Sequence, residues 1–156
     1  DIRPDILTTA KALANGLPVG ACVARGEAAA AMKPGQHGST FGGNPLVSRA
    51  ACTVLDIMER DGLAEQAAQT GRFIKQAFRE RLSKIQSVRE IRGRGLMIGI
   101  ELDRPAGAVK EQAMESGVII NVTQENVIRL LPPLIIDRAQ AEEIVAVVSD
   151  SIEALE

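Results

Sequence analysis

Apolar residues change their spacing several times along the chain, and each change marks an element. Behind Pro4, Ile6-Leu7-Thr8-Thr9 is a short apolar and β-branched run that predicts a strand ending just before Lys11, with a loop after it. Asn15-Gly16-Leu17-Pro18 then punctuates the chain, and the small apolar residues 20–24 predict a second strand. Residues 27–32 are alanine-rich and predict a short helix stopped by Lys33-Pro34-Gly35. A polar, glycine-rich loop covers 36–44. After Pro45, Val47, Ala50, Ala51, Val54, Leu55 and Met58 recur at helical spacing as far as Asp61-Gly62, which predicts a break or kink. The period resumes with Leu63, Ala67, Thr70, Ile74, Ala77, Phe78 and Leu82, a stripe suited to a helix packed on one side.

Beyond that stripe the period shortens. Residues 96–102 read as a buried strand behind Gly93 and Gly95, 118–122 as another and 127–131 as a third. A helix fits between the first two and ends at Gly117. Asp137 is placed to cap a last helix running to Leu155, with Gln140 at the capping-box position and Ile144, Val147, Val148 and Ile152 facing inward. The expected organisation is α/β in three parts: 1–46 with two strands and the glycine-rich loop, a long connecting helical region over 47–85, and a small α/β unit over 86–156.

Composition narrows the functional classes. With 46% hydrophobic residues in 156, the chain can bury a core, and disorder is not expected. A formal net charge of -2 offers no basic footprint for a phosphate backbone, and three phenylalanines (Phe41, Phe73, Phe78) without tryptophan or tyrosine leave few stacking platforms, so nucleic acid is discounted as a partner. Cys22 and Cys52 outline neither a disulfide framework nor a zinc site, and no metal is expected; a reducing, cytoplasmic setting fits. No apolar run reaches the length of a membrane span, and Asp-Ile-Arg-Pro-Asp is unlike a signal peptide. The opening, without an initiator methionine, reads as mid-domain sequence of something longer.

Three features carry candidate chemistry. Lys11 follows a predicted strand, where ligand sites of open α/β sheets collect, and its neutral amine would be a nucleophile toward a carbonyl; a solvated surface lysine is the plainer reading of that position alone. The loop His37-Gly38-Ser39-Thr40-Phe41-Gly42-Gly43-Asn44 combines glycines that permit close backbone approach with the hydroxyl and amide donors of Ser39 and Thr40, a combination suited to phosphate but also to an ordinary glycine turn. Arg129, on the otherwise apolar stretch Val127-Ile128-Arg129-Leu130, would need a carboxylate partner if buried, supplied by a ligand or by a structural ion pair. His37 is the sole histidine and is read as a loop-orienting residue. Arg92-Gly93-Arg94-Gly95 is assigned to a bend and close strand packing.

The segment from Pro4 to Ala21 around Lys11, followed at a matching distance by the Ser39-Thr40 loop and then by the Arg129 segment, resembles the class III pyridoxal-phosphate-dependent aminotransferases over essentially the whole chain. The wording is most like the acetylornithine/ornithine group. The resemblance implies a fold-type I PLP-dependent transferase, here the C-terminal part of its large domain plus the small C-terminal domain. It implies that Lys11 carries pyridoxal 5'-phosphate and shuttles a proton, that Ser39 and Thr40 bind the cofactor, with Thr40 reaching that of the neighbouring subunit of a homodimer, and that Arg129 holds a substrate carboxylate. The implied reaction moves an amino group between N-acetylornithine and 2-oxoglutarate in arginine metabolism. Ornithine, succinylornithine and 4-aminobutyrate are alternative substrates of the same class. In relatives, the aspartate facing the pyridine nitrogen, the aromatic residue over the ring and a phosphate loop precede the position of Asp1. Weak or absent turnover is therefore expected of these residues alone, and a noncatalytic binding or oligomerisation module is the alternative from another class.

Overall fold

The computed structural model describes residues 2–156; Asp1, the first residue of the non-signal opening, lies outside the described residues. The chain divides into two compact units, residues 1–61 and 62–156. The division falls inside the 47–85 helical region, at the Asp61-Gly62 break, where Gly62 has φ +61, a left-handed value that glycine adopts without a Cβ penalty.

In the first unit, β1 (Ile6–Thr9) and β2 (Ala21–Ala24) pair antiparallel, with Ile6 opposite Ala24 and Thr9 opposite Ala21. Arg25 closes the open end: its amide donates to the Asp5 carbonyl at 3.0 Å and its guanidinium to the Arg3 carbonyl at 2.8 Å. The expected loop after β1 is a tight 3-10 turn, Lys11–Ala14, which packs against a later helix. A short helix, α1 (Gly26–Ala31), follows β2. The helix α2 (Pro45–Arg60) begins with Pro at its first position, where the missing N–H is no loss, and with Asn44 as cap: its Oδ1 accepts from the Val47 amide at 3.2 Å. α2 is the helix that meets the 3-10 turn. Among the described residues only Ala14 and Val47 are buried apolar residues here, whereas Phe41 is 80% exposed and Leu46 69%.

The second unit has two layers. A four-stranded antiparallel sheet in the order β3-β4-β6-β5 comprises β3 (Val88–Arg94), β4 (Met97–Leu102), β5 (Asn121–Thr123) and β6 (Val127–Leu130). The helices α3 (Leu63–Arg81), α4 (Gly107–Glu115) and α5 (Arg138–Glu153) enclose the core with it. The predicted stripe of α3 delivers Leu63, Ala67, Ile74, Phe78 and Leu82 to that core, where they join Ile98, Ile100, Leu102 and Ile128. Alanines 106, 113 and 141, all fully buried, give α4 and α5 the small contact positions that close helix approach requires. Asp137 and Gln140 form the expected capping box: the Asp137 side chain accepts from the Gln140 amide at 2.8 Å, and the Gln140 side chain accepts from the Asp137 amide at 3.0 Å.

Two sequence readings are corrected here. The strand expected to be buried over 96–102 is one-sided: Ile98, Ile100 and Leu102 are buried, while Met97 is exposed and Gly99 and Glu101 are half-exposed. The glycines of Arg92-Gly93-Arg94-Gly95 serve as expected: the turn comes at Gly95 (φ +54), and at Gly93, near the end of β3, a Cβ would lie 2.1 Å from the Met97 carbonyl oxygen of the paired β4. The strand expected at 118–122 is shorter and later, at Asn121–Thr123.

Candidate active-site residues

The backbone places Lys11 in an unusual stance. It follows β1 after the single residue Ala10 and has φ +60, in the left-handed region that a long L side chain seldom occupies; such a residue costs on the order of 1–3 kcal/mol. Asn15, which ends the turn, is left-handed too (φ +46), and its amide returns to the Ala12 carbonyl at 3.0 Å. The Lys11 side chain is exposed and makes no hydrogen bond or ion pair among the described residues. Among those residues β1 pairs with the antiparallel β2.

The glycine-rich loop is organised by its own polar groups. The Gly42 amide donates to Ser39 Oγ at 2.9 Å, and Asn44 Nδ2 donates to the Phe41 carbonyl at 2.9 Å while its Oδ1 caps α2. A Cβ at position 42 would lie 2.7 Å from Ser39 Oγ, so this turn requires glycine there. Ser39 Oγ is thus engaged as an acceptor but retains its own proton. Thr40 is exposed, with its hydroxyl unpartnered among the described residues, and His37 likewise makes no hydrogen bond or ion pair. The turn bearing Lys11 and the loop bearing Ser39 and Thr40 are both anchored on α2, the first by packing and the second through its cap. No hydrogen bond joins them.

Arg129 belongs to the second unit, on the sheet face turned away from the helices. It is exposed, so the demand of a buried guanidinium does not arise, and it has no ion-pair partner among the described residues. Gly99 stands opposite it on β4 and Asn121 on β5. A shallow cavity of about 240 Å³ opens on this face, and Arg92, Arg94, Gly99, Thr123 and Arg129 are part of its wall. Of the three arginines on this wall, Arg92 alone is paired among the described residues: its Nη1 lies 2.6 Å from Glu101 and 2.7 Å from Glu90. Hydrogen bonding to Glu101, then to Glu90, raises the Arg92 guanidinium above its usual value, so it stays charged. A larger cavity of about 340 Å³ in the same unit is walled by apolar groups such as Val118, Leu131 and Ile144 and holds none of the candidate residues.

Sequence reasoning missed the Asn44 cap and the Glu90–Arg92–Glu101 cluster. Asn44 was legible as an N-cap type directly before Pro45. The cluster depends on cross-strand register, for which the alternating charges of 89–94 were the available signal. No group of histidine, cysteine, aspartate or glutamate able to hold a metal occurs among the described residues. Among the described residues no helix is long and apolar enough to cross a membrane.

Residues 1–152 match the family model for class III aminotransferases. Among curated relatives, acetylornithine aminotransferase 1 of Bordetella bronchiseptica is 50% identical over 147 residues, covering 94% of this chain and 37% of that protein. The crystal structure of acetylornithine aminotransferase from Elizabethkingia anophelis superposes with a TM-score of 0.88 at 33% identity, over 98% of this chain and 42% of that one. An ornithine aminotransferase from Toxoplasma gondii, with partial occupancy of PLP at its active site, superposes with a TM-score of 0.92 at 33% identity, over 99% of this chain and 37% of that one. The chain therefore spans well under half the length of the proteins it matches.

Proposed function

Because the chain belongs to the class III aminotransferases, we propose that Lys11 is the residue through which it serves transamination, as the carrier of pyridoxal 5'-phosphate. The observation that carries this reading is the Lys11 amine itself: it is exposed, free of any partner among the described residues, and held on a left-handed backbone inside the segment that resembles the family's lysine motif. The donors present fit a phosphate-bearing aldehyde. An amine stands ready for the carbonyl, and the Thr40 hydroxyl, the Ser39 proton and the amides of a glycine-rich loop are available to phosphate oxygens. When bound, the cofactor supplies an electron-withdrawing ring that stabilises negative charge on the substrate carbon. Lys11 Nζ would hold the group and, once freed by the substrate amine, would carry the proton to and from the substrate carbon. Arg129 offers an unpaired guanidinium fork to a substrate carboxylate.

The relatives' names support N-acetylornithine as amino donor; 2-oxoglutarate as acceptor, within arginine metabolism, is what the family resemblance implies. A cytoplasmic homodimer in which Thr40 reaches the neighbouring subunit's cofactor completes the reading. The fold-type I assignment follows from the structural relatives; in the proposed reading, 1–46 is the end of the large domain, 47–85 a connection and 86–156 the small domain. The decisive experiment is to add pyridoxal phosphate, reduce with borohydride and map the labelled peptide, with Lys11→Ala as control. Stoichiometric label at Lys11 alone is expected; diffuse lysine labelling unchanged by the substitution would refute the assignment. A panel of N-acetylornithine, ornithine and 4-aminobutyrate with the longer enzyme tests the substrate, and a preference for either of the last two would overturn the choice of donor.

A further inference from the structure

The strand register lines up Arg92, Gly99, Arg129 and Asn121 in one row across β3, β4, β6 and β5. The adjacent row on the same face is Glu90, Glu101, Val127 and Thr123, since residues two apart on a strand share a face. Arg92 and Arg129 therefore flank Gly99 from its two sides, with no side chain between them. Glu101, two residues along β4 from Gly99, stands diagonal to both arginines. Diagonal neighbours lie about 7–8 Å apart at Cα, within reach of glutamate and arginine side chains. In register, Glu101 has two guanidinium partners to choose from. It takes Arg92, at 2.6 Å, and Glu90 joins the same nitrogen at 2.7 Å, while Arg129 is left unpaired. Arg94, opposite Met97, is one row further from Glu101 than either.

We propose that Arg92, gripped by Glu90 and Glu101, is a positioning residue that keeps the Glu101 carboxylate away from Arg129 and so leaves the Arg129 guanidinium open to a ligand carboxylate. The arrangement is a charge lock: two carboxylates saturate one arginine and spare the other. Without Arg92, Glu101 faces Arg129 across one diagonal with no competing cation on its other side, and it occupies the nitrogens a ligand would use. The inference rests on reading Arg129 as a carboxylate anchor, and its test separates the two.

The experiment labels the arginines of the 156-residue chain with nitrogen-15 and follows the Arg129 side-chain Nε–H signal, first alone and then during titration with glutarate as a probe dicarboxylate. In Arg92→Gln the Arg129 signal should shift and exchange its proton more slowly before any glutarate is added, and glutarate should bind about two- to fivefold more weakly, the range that solvent-exposed ion pairs support. Arg92→Gln with Glu101→Gln should return both readings to the parent's, and Arg92→Lys should stay close to the parent. A merely structural Arg92 would not be rescued by deleting the carboxylate. If Arg92→Gln fails to fold by circular dichroism, Arg92→Met takes its place with the same expectations. An Arg129 signal that ignores Arg92 substitution, or one that Glu101→Gln does not restore, overturns the lock. An Arg129 signal in the parent that ignores glutarate overturns the anchor reading instead, whatever the first measurement shows.

Discussion

Gly71 on α3 is the tightest joint in the second unit, and Gly71→Ala gives the most direct check on how that unit is packed. A Cβ built at this position stands 1.9 Å from the Gly95 carbonyl oxygen and 2.5 Å from its carbon. Ordinary carbon–oxygen contact needs about 3.3 Å, so helix and hairpin must separate by more than about 1 Å. The hairpin cannot easily retreat. Gly95 occupies the turn between Arg94 and Met97, which pair across it, and Lys75 of α3 donates to the Gly93 carbonyl at 2.6 Å. Helix propensity works the other way, favouring alanine over glycine by about 0.8–1.0 kcal/mol. Overpacking against backbone costs about 1–3 kcal/mol or more, so the net expectation is a loss of about 1–2 kcal/mol and a melting point lower by about 5–15 °C. The chain has no tryptophan or tyrosine, so melts are followed by far-ultraviolet circular dichroism. Gly107→Ala is the control: it sits at the first position of α4 with no atom within 4 Å of the added Cβ, and it should be neutral or slightly stabilising. If Gly71→Ala melts at or above the parent temperature, propensity has won and the close contact of helix with hairpin does not limit the fold.

Two further outcomes follow from local chemistry. Asp137→Ala removes the acceptor for the Gln140 amide and should destabilise α5 by about 0.5–2 kcal/mol, read as a lower urea midpoint; an unchanged midpoint would show that the capping box contributes nothing. Hydrogen bonding from Arg104 at 2.8 Å, aided by the charges of Arg104 and Arg89, holds the Asp103 carboxyl below the usual aspartate range. Since the folded value is depressed, this contribution is present above the unfolded value and is lost as pH falls through the folded one, so the parent should lose more of its urea midpoint between about pH 6 and pH 3 than Asp103→Asn does. Equal losses in the two proteins would remove Asp103 from the acid response.

Elements whose cues are local were legible in the sequence. Asp137 and Gln140 announced the start of α5 because both halves of a capping box lie within one turn, and the stripe from Leu63 to Leu82 announced α3 because a helix buries one face at a fixed period. β3 was not legible. Its outward positions are Glu90 and Arg92, its inward ones only Val88 and Ile91, and its pairing with β4 makes sense only once the turn at Gly95 is known. The same holds for the candidate site. Lys11, Ser39, Thr40 and Arg129 stood out by type and motif, but the left-handed backbone at Lys11 has no signature in a lysine. The placement of Glu101 diagonal to both Arg92 and Arg129 is likewise a property of register, which the spacing along one strand does not contain.

The β1–β2 ribbon offers both faces and both outer edges to its surroundings, with all eight of its residues exposed. A two-stranded ribbon of this kind is marginal alone in water. Lys11 thus stands between the least self-sufficient part of the chain and a turn that packs on α2, and in the proposed role as cofactor carrier its rigidity depends on that helix rather than on the ribbon's own pairing.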